Sequence, residues 1–162
     1  MKKVLFLFTF IIVLFSCNNE NANHENKSRI LSPKVDSLYT LVVAKHDEVM
    51  HKTSDISKLS RILRTDMENM GNDKNSEKKK ERIIQILTSL QAAHDAMFDW
   101  MGEFKGITTN EEYYKKTKDE ELLKYLHEEE IKIDRVAKIM LESIGNAELY
   151  LKENDKQIKN EN

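Results

Sequence analysis

Histidine and methionine side chains occur together in two similar segments of the chain. The first segment carries His46 and Met50, and the second carries His94, Met97 and Met101. In each segment a His and a Met stand one helical turn apart, a separation at which two side chains of a helix can reach one ion. Imidazole and thioether groups together favour Cu(I), and facing helices of a bundle can present such ligands inward. One interpretation is therefore a copper site built from these five residues.

The same side chains also have a purely structural interpretation. Met in a helical stripe commonly fills gaps in an apolar core, and a core His hydrogen-bonded to a Glu or Thr of a neighbouring helix gives the same pattern without a metal. If the helices run antiparallel, Thr53 and Glu130 fall opposite His94, and His46 falls level with Met101. We favour this interpretation, and with it a non-enzymatic binding or scaffolding module. A periplasmic copper-binding protein is the alternative.

The remaining polar residues do not form the arrangements that catalysis requires. Acidic residues are adjacent in sequence at 111–112 and 128–130. Neighbours on a helix do not face each other, so we expect no general acid and base pair. The chain has four glycines and no Gly-rich loop that could hold a phosphate. We therefore expect no enzyme activity, and no cofactor other than the alternative Cu(I).

The composition is that of a helical domain. Among 162 residues there are one Pro and four Gly, while 33% are charged, which argues against a turn-rich all-β protein. The formal net charge of -2 provides no basic excess for nucleic acid, so no nucleic-acid partner is expected. The single cysteine, Cys17, excludes an internal disulfide framework.

The N-terminus has the features of a lipoprotein signal peptide. Two lysines precede an apolar run at 4–15, which is too short for a stable membrane span of about 20 residues. The run ends in Leu-Phe-Ser-Cys, which resembles the bacterial lipobox, whose Cys takes the lipid. We predict a signal peptide at 1–16, lipid attachment at Cys17, and a flexible tether through residue 31. The expected location is the cell envelope, lipid-anchored in the outer membrane and facing the periplasm.

Three long stretches after the tether carry apolar residues every seven positions. The first rows are Val35, Val42, Val49, Ile56, Leu63 and Met70, then Ile83, Leu90, Met97 and Phe104, then Leu126, Ile133, Met140 and Ala147. The predicted second rows stand four residues later and comprise Tyr39, His46, Thr53, Ser60 and Met67, then Leu87, His94 and Met101, then Leu123, Glu130, Ala137, Ile144 and Leu151. Such stripes predict three amphipathic helices, each of which must bury its stripe against the others.

The expected fold is all-α, an antiparallel three-helix bundle over 32–154. A sustained period of seven implies left-handed, coiled-coil-like packing. Two capping-box patterns, beginning at Thr108 and Thr117, allow a short extra helix before the third long one. Residues 155–162 are expected to be a disordered tail, and Trp100 is expected to pack in the core.

A second apolar seam on the bundle surface would allow assembly. Leu41, Leu59 and Ile62 stand outside the predicted rows of the first helix. They could contact an envelope protein or a second copy of the chain. An envelope protein and a second copy of the chain are thus two alternative partners.

The two His-containing segments also carry a family resemblance. The pattern His-Asp-Glu-Val-Met within 43–52, the segment 93–101, and the following Glu-Phe-Lys-Gly at 103–106 resemble a group of uncharacterised bacterial lipoproteins labelled "viral A-type inclusion protein". The label reflects coiled-coil likeness, and the resemblance spans most of the mature chain. It implies a lipid-anchored helical protein and no established activity. This chain has His51 where the pattern leads us to expect a Pro.

Overall fold

The chain folds into helices joined by short loops. The computed structural model describes the backbone of residues 31–161 and the side chains of residues 31–154. The helices are α1 (Pro33–Met50), α2 (Lys52–Asn69), α3 (Lys74–Glu103), α4 (Glu111–Lys116) and α5 (Asp119–Glu161). No strand occurs in this part of the chain. The predicted signal peptide, Cys17 and the tether up to residue 30 lie outside it.

The four long helices pack against one another. α5 contacts α1, α2 and α3, and α2 contacts α3. None of the helices among the described residues is both long enough and apolar enough to cross a membrane. The all-helical fold class is confirmed, and α4 is the short extra helix that the capping boxes allowed.

The first predicted helix is interrupted at His51, which separates α1 from α2. The residue keeps right-handed helical angles, φ −60° and ψ −24°. Hydroxyl groups bond the backbone here, because Thr53 Oγ1 donates to Met50 O at 2.7 Å and Ser54 Oγ donates to His51 O at 2.8 Å. Such local side-chain bonds compete with the regular helical ladder. The first of the three helices predicted from the apolar rows is therefore two helices, α1 and α2.

The first predicted rows form the core. Their members in α1 to α3 and α5 are at most 6% exposed, except Met70 and Phe104, which are half-buried. A tight core of this kind is what an amphipathic helix needs, because most helical stability comes from packing its apolar face.

The second predicted rows of α3 and α5 are only partly confirmed, because Leu87 and Ile144 are buried and the other members are half-buried or exposed. Met101 is 40% exposed and His94, Glu130 and Ala137 are only half-buried. A row that is buried throughout stands one residue before the predicted one, and its members are Ile86, Ala93, Trp100, Leu122, Glu129, Val136, Ser143 and Tyr150. A heptad period fits a second row that stands either three or four residues after the first row. The position of the neighbouring helices decides which of these two rows is buried.

Two other expectations need correction. α5 continues to Glu161, so the backbone of 155–161, expected to be a disordered tail, is helical. Leu59 is 8% exposed and belongs to the core rather than to a second seam, whereas Leu41 and Ile62 are 44% and 38% exposed.

The buried apolar residues form two clusters. The large cluster runs along the helices from Val42 to Tyr150. The small cluster joins the start of α1, α4 and the start of α5, through Val35, Leu38, Tyr114, Leu122 and Leu126. Phe104, which follows α3, packs against both. The start of α1 and the end of α3 therefore lie at the same end of the molecule.

Candidate binding cleft

Aromatic rings concentrate where α3 ends. Phe104 stacks on Trp100 with ring centroids 4.8 Å apart, and on Tyr39 at 5.8 Å. Tyr39 meets the edge of Tyr114 at 6.0 Å, and Phe104 also lies 6.4 Å from Tyr125. Stacked and edge-to-face arrangements at these separations are the favourable ones. The cluster therefore connects α1, α3, α4 and α5.

Three tyrosine hydroxyls hold the loop between α3 and α4. Lys105 N donates to Tyr125 Oη at 2.7 Å, and Ile107 N donates to Tyr39 Oη at 3.2 Å. Tyr114 Oη donates to Lys105 O at 2.8 Å. Burial raises the pKa of Tyr125 to about 12 and raises the pKa of Tyr114 further. The hydroxyls of Tyr125 and Tyr114 therefore stay protonated at neutral pH, and bonds to tyrosines of three different helices fix the loop conformation.

A cleft of about 220 Å³ lies between α1 and this loop. Most of its lining is apolar or aromatic, and the lining residues are Val43, His46, Trp100, Met101, Phe104, Gly106 and Thr109. Its one hydroxyl is already occupied, because Thr109 Oγ1 donates to Gly106 O at 3.2 Å and accepts from Asn110 Nδ2 at 2.9 Å. Small-molecule sites commonly combine apolar walls with a few polar atoms.

His46 is the main polar side chain of the cleft. Its ring stacks on the indole of Trp100, with centroids 5.4 Å apart and 25° between the planes. His46 Nδ1 lies 2.9 Å from Asp47 Oδ1, and because an ionised carboxylate only accepts, Nδ1 carries the hydrogen. The other nitrogen, Nε2, is buried and has no hydrogen-bond partner within the described part of the chain. In a neutral ring this leaves the lone pair of Nε2 unused.

Trp100 adds a second polar atom without a partner. The side chain is 5% exposed, which confirms the core position expected for it. Its Nε1, which can only donate, is buried and makes no hydrogen bond to any described residue. A buried polar group left unpaired costs about 1–3 kcal/mol. The stacked pair therefore contains both an unused acceptor and an unused donor.

The five predicted metal ligands have different surroundings in the fold. His46 and Met101 both line the cleft. Met97 is fully buried in the core, and Met50 packs against the same core from a half-buried position. None of the described residues belongs to a group of three or more His, Cys, Asp or Glu side chains that could hold a metal ion.

His94 lies apart from the cleft. It stands six residues before Trp100 on α3, about 9 Å along the helix axis. Its side chain is 35% exposed, its ring stacks on Phe98 at 4.5 Å, and its Nδ1 is 3.4 Å from Asp95 Oδ1. The predicted pairing with Thr53 and Glu130 is therefore wrong.

Glu130 instead belongs to a group of charges between α1 and α5. Lys45 Nζ lies 2.9 Å from Glu130 Oε1 and 2.8 Å from Asp134 Oδ2, so it links α1 to α5. His127 Nδ1 is 3.4 Å from Glu130 Oε2. The hydrogen bonds that Lys45 donates to Asp134 and to Glu130 raise the pKa of Lys45, and the bond that Glu130 accepts from Lys45 lowers the pKa of Glu130.

Comparisons with models of protein families, with curated proteins and with solved structures found no match for this chain. The site therefore has to be interpreted from its own residues. Sequence reasoning identified His46 and Met101 and placed them at one level. It missed the cleft residues Val43, Gly106 and Thr109, for which no periodic signal exists.

Proposed function

We propose that this protein is a lipid-anchored, non-enzymatic binding module of the cell envelope. Its domain over 32–154 is an antiparallel three-helix bundle with left-handed, coiled-coil-like packing, in which α1 and α2 together make one long arm. In this proposal the signal peptide at 1–16 is cleaved and Cys17 carries the lipid. The lipid anchors the protein in the outer membrane, where it faces the periplasm. Support for the anchor comes from the lysines, the short apolar run and the single Cys of the chain, which stands at the lipobox position.

The cleft is the binding site in this proposal, and one observation carries it. His46 Nε2 and Trp100 Nε1 are both buried without a hydrogen-bond partner, in two side chains that stack on each other and line the same cleft. Native proteins pair the large majority of their buried polar groups. A bound ligand that supplies the missing partners would account for two neighbouring exceptions.

The position of the cleft suits a protein on a membrane surface. Val35 and Leu38, at the start of α1, pack in the small cluster with Tyr114 of α4, close to the aromatic loop of the cleft. Residues 18–32 would connect the anchor to α1, and a chain of that length spans at most about 50 Å. The cleft would therefore stay close to the bilayer to which Cys17 is attached.

The anchor is tested by labelling cells with a radioactive fatty acid. The wild-type protein should incorporate label and sediment with membranes, and Cys17→Ser should do neither. A matched Cys17→Ser chain that is labelled as strongly as wild type would contradict the anchor.

The cleft is tested with the mature lipoprotein purified in detergent micelles. Trp100 is the only tryptophan of the chain, so its emission reports on the cleft alone. A panel of small amides, heterocycles and metal ions should contain a compound that changes this emission in a saturable way. Val43→Phe, which fills the cleft with a larger apolar side chain, should abolish the response, whereas exposed Leu41→Phe should preserve it. A panel without any saturable response would refute the binding site.

A further inference from the structure

We propose that the ligand of the cleft is Cu(I), held by His46 Nε2 and the thioether sulfur of Met101. This inference rests on the proposed function, which makes the cleft the binding site. It retains two of the five ligands predicted from the sequence and excludes Met50, His94 and Met97.

The hydrogen bond to Asp47 prepares His46 for a metal. Metal-binding histidines almost always donate their second ring N–H to a carboxylate, a backbone carbonyl or water, which fixes the tautomer and the ring orientation. His46 Nδ1 and Asp47 Oδ1 are 2.9 Å apart, so Asp47 can give this support to His46. Nε2 then has its lone pair free, and no described side chain or backbone group donates to it.

The other atoms around the cleft select a soft ion. Thr109 Oγ1 and Gly106 O bond to each other, and Gly106 O also accepts from Asn110. Both of these hard oxygen atoms therefore already take part in hydrogen bonds within the loop. The remaining side-chain donor atom is the sulfur of Met101. Imidazole nitrogen with thioether sulfur is a set suited to Cu(I), whereas Mg²⁺ and Ca²⁺ require oxygen ligands.

Trp100 and Met101 have complementary roles in this site. The indole packs along the imidazole and supplies an aromatic surface that attracts a nearby cation, whereas its Nε1–H, which only donates, binds no metal and gains no partner from Cu(I). Met101 is 40% exposed and unbranched, so it can rotate to admit an ion to Nε2, which is buried at present. Cu(I) accepts low coordination numbers, so two protein ligands suffice.

The experiment uses the mature lipoprotein in detergent micelles, without oxygen and with a reductant. Cu(I) is titrated in competition with a chromogenic chelator while the emission of Trp100 is followed. We expect one ion per chain and quenching of Trp100 at the same stoichiometry. His46→Gln should abolish binding, and Met101→Leu should weaken it. Asp47→Asn should weaken it by roughly 10- to 100-fold, the usual effect of losing the group that orients a metal-binding His.

Matched controls use the residues that this inference excludes. His94→Gln and Met50→Leu alter the same residue types outside the cleft, and they should leave Cu(I) affinity unchanged. Met101→Leu changes an exposed side chain and should keep the fold, so it tests the ligand set even if His46→Gln unfolds. Far-ultraviolet circular dichroism of every variant checks the fold.

Each outcome has a definite meaning. Wild-type protein that does not compete for Cu(I) overturns the copper inference, and a saturable response of Trp100 to an organic compound would then leave the proposed binding module in place. Copper binding that is lost in His94→Gln or Met50→Leu, but kept in His46→Gln and Met101→Leu, overturns the ligand assignment. If neither metal ions nor organic compounds change the emission of Trp100, the proposed binding module is overturned as well.

Discussion

The imidazole of His46 stacks on the indole of Trp100, with ring centroids 5.4 Å apart and 25° between the ring planes. This contact joins α1 to α3 across the wall of the cleft. It also brings together two ring nitrogens, His46 Nε2 and Trp100 Nε1, that are buried without hydrogen-bond partners among the described residues. The pair therefore carries a stability cost that a core built only for packing would avoid.

Replacing His46 by Leu should test this cost. His46→Leu removes an unpaired buried nitrogen and keeps an apolar side chain of similar size, although the ring stacking is lost. We expect the free energy of unfolding to stay unchanged or to rise by up to about 1 kcal/mol. Urea unfolding measures it, with the exposed His127→Leu as the control, which should change stability by less than about 0.5 kcal/mol. A loss of more than about 2 kcal/mol would show that His46 stabilises the apo protein.

The cap of α3 should make stability depend on pH in acid. Asp73 Oδ1 accepts from the backbone of Asn75 and Ser76, and Oδ2 accepts from Ser76 Oγ at 2.6 Å. The bond from the Ser76 hydroxyl, followed by the backbone bonds, lowers the pKa of Asp73 from 3.8 to about 2. Because the folded pKa is below the unfolded one, this stabilisation is complete above about pH 4 and is lost as the pH falls through about 2.

Asp73→Ala should therefore melt at a lower temperature than wild type at pH 7, and the difference should shrink between pH 4 and pH 2. Thermal melts by circular dichroism at several pH values measure it. Asp36→Ala, an acidic residue in the first turn of α1 that does not cap the helix, is the control. An equal Tm difference for Asp73→Ala at pH 7 and at pH 2 would contradict the assignment.

The aromatic loop should respond to alkali. Burial raises the pKa of Tyr125 to about 12, whereas an unfolded tyrosine ionises near pH 10. A raised folded pKa means that Tyr125 stabilises the protein fully below pH 10 and that this contribution is lost as the pH rises through 12. Tyr125→Phe should flatten the fall in stability between pH 10 and 12, measured by urea unfolding at each pH with tyrosinate absorbance as a second signal. An unchanged slope would argue that Tyr125 ionises freely in the folded state.

The ion pair between Lys45 and Glu130 should couple α1 to α5 weakly. Their side chains are 27% and 22% exposed, so solvent screens the interaction only in part. A double-mutant cycle with Lys45→Met and Glu130→Gln should give a coupling of about 0.5–1 kcal/mol that decreases as salt is added. Because Lys45 lowers the pKa of Glu130, the coupling should also vanish in acid as Glu130 becomes protonated. A coupling that is independent of salt would indicate packing rather than charge.

The sequence predicted the central row of the core, but of the predicted second rows in α3 and α5 only Leu87 and Ile144 are buried. Val42, Leu90, Ile133 and the rest of the first row lie where the heptad period placed them. For the second row the sequence contains apolar residues at both of two adjacent positions, such as Ile86 beside Leu87 and Leu122 beside Leu123. The period alone does not distinguish the two steps, because the side on which the neighbouring helices lie is a property of the tertiary structure.

The candidate site was predictable to a similar extent. Antiparallel register placed His46 level with Met101, and both line the cleft. The stacking of Trp100 on His46 and the conformation of the loop were not predictable. They depend on long-range contacts, such as the bond from Ile107 N to Tyr39 Oη across 68 positions of sequence. No local pattern in the sequence encodes such a pairing.

The division of the core into two clusters has a dynamic consequence. The small cluster, which includes Val35, Tyr114 and Leu126, shares the half-buried Phe104 with the large one but no buried residue, and regions with few buried apolar contacts open more readily than the main core. The end of the protein that carries the aromatic loop can thus unfold transiently as its own cooperative unit while α2 and most of α5 stay intact. Native-state hydrogen exchange should show this hierarchy, with the amides of Lys105 and Ile107 exchanging well before that of Leu90. A ligand that stabilises the cleft should slow the first two amides selectively.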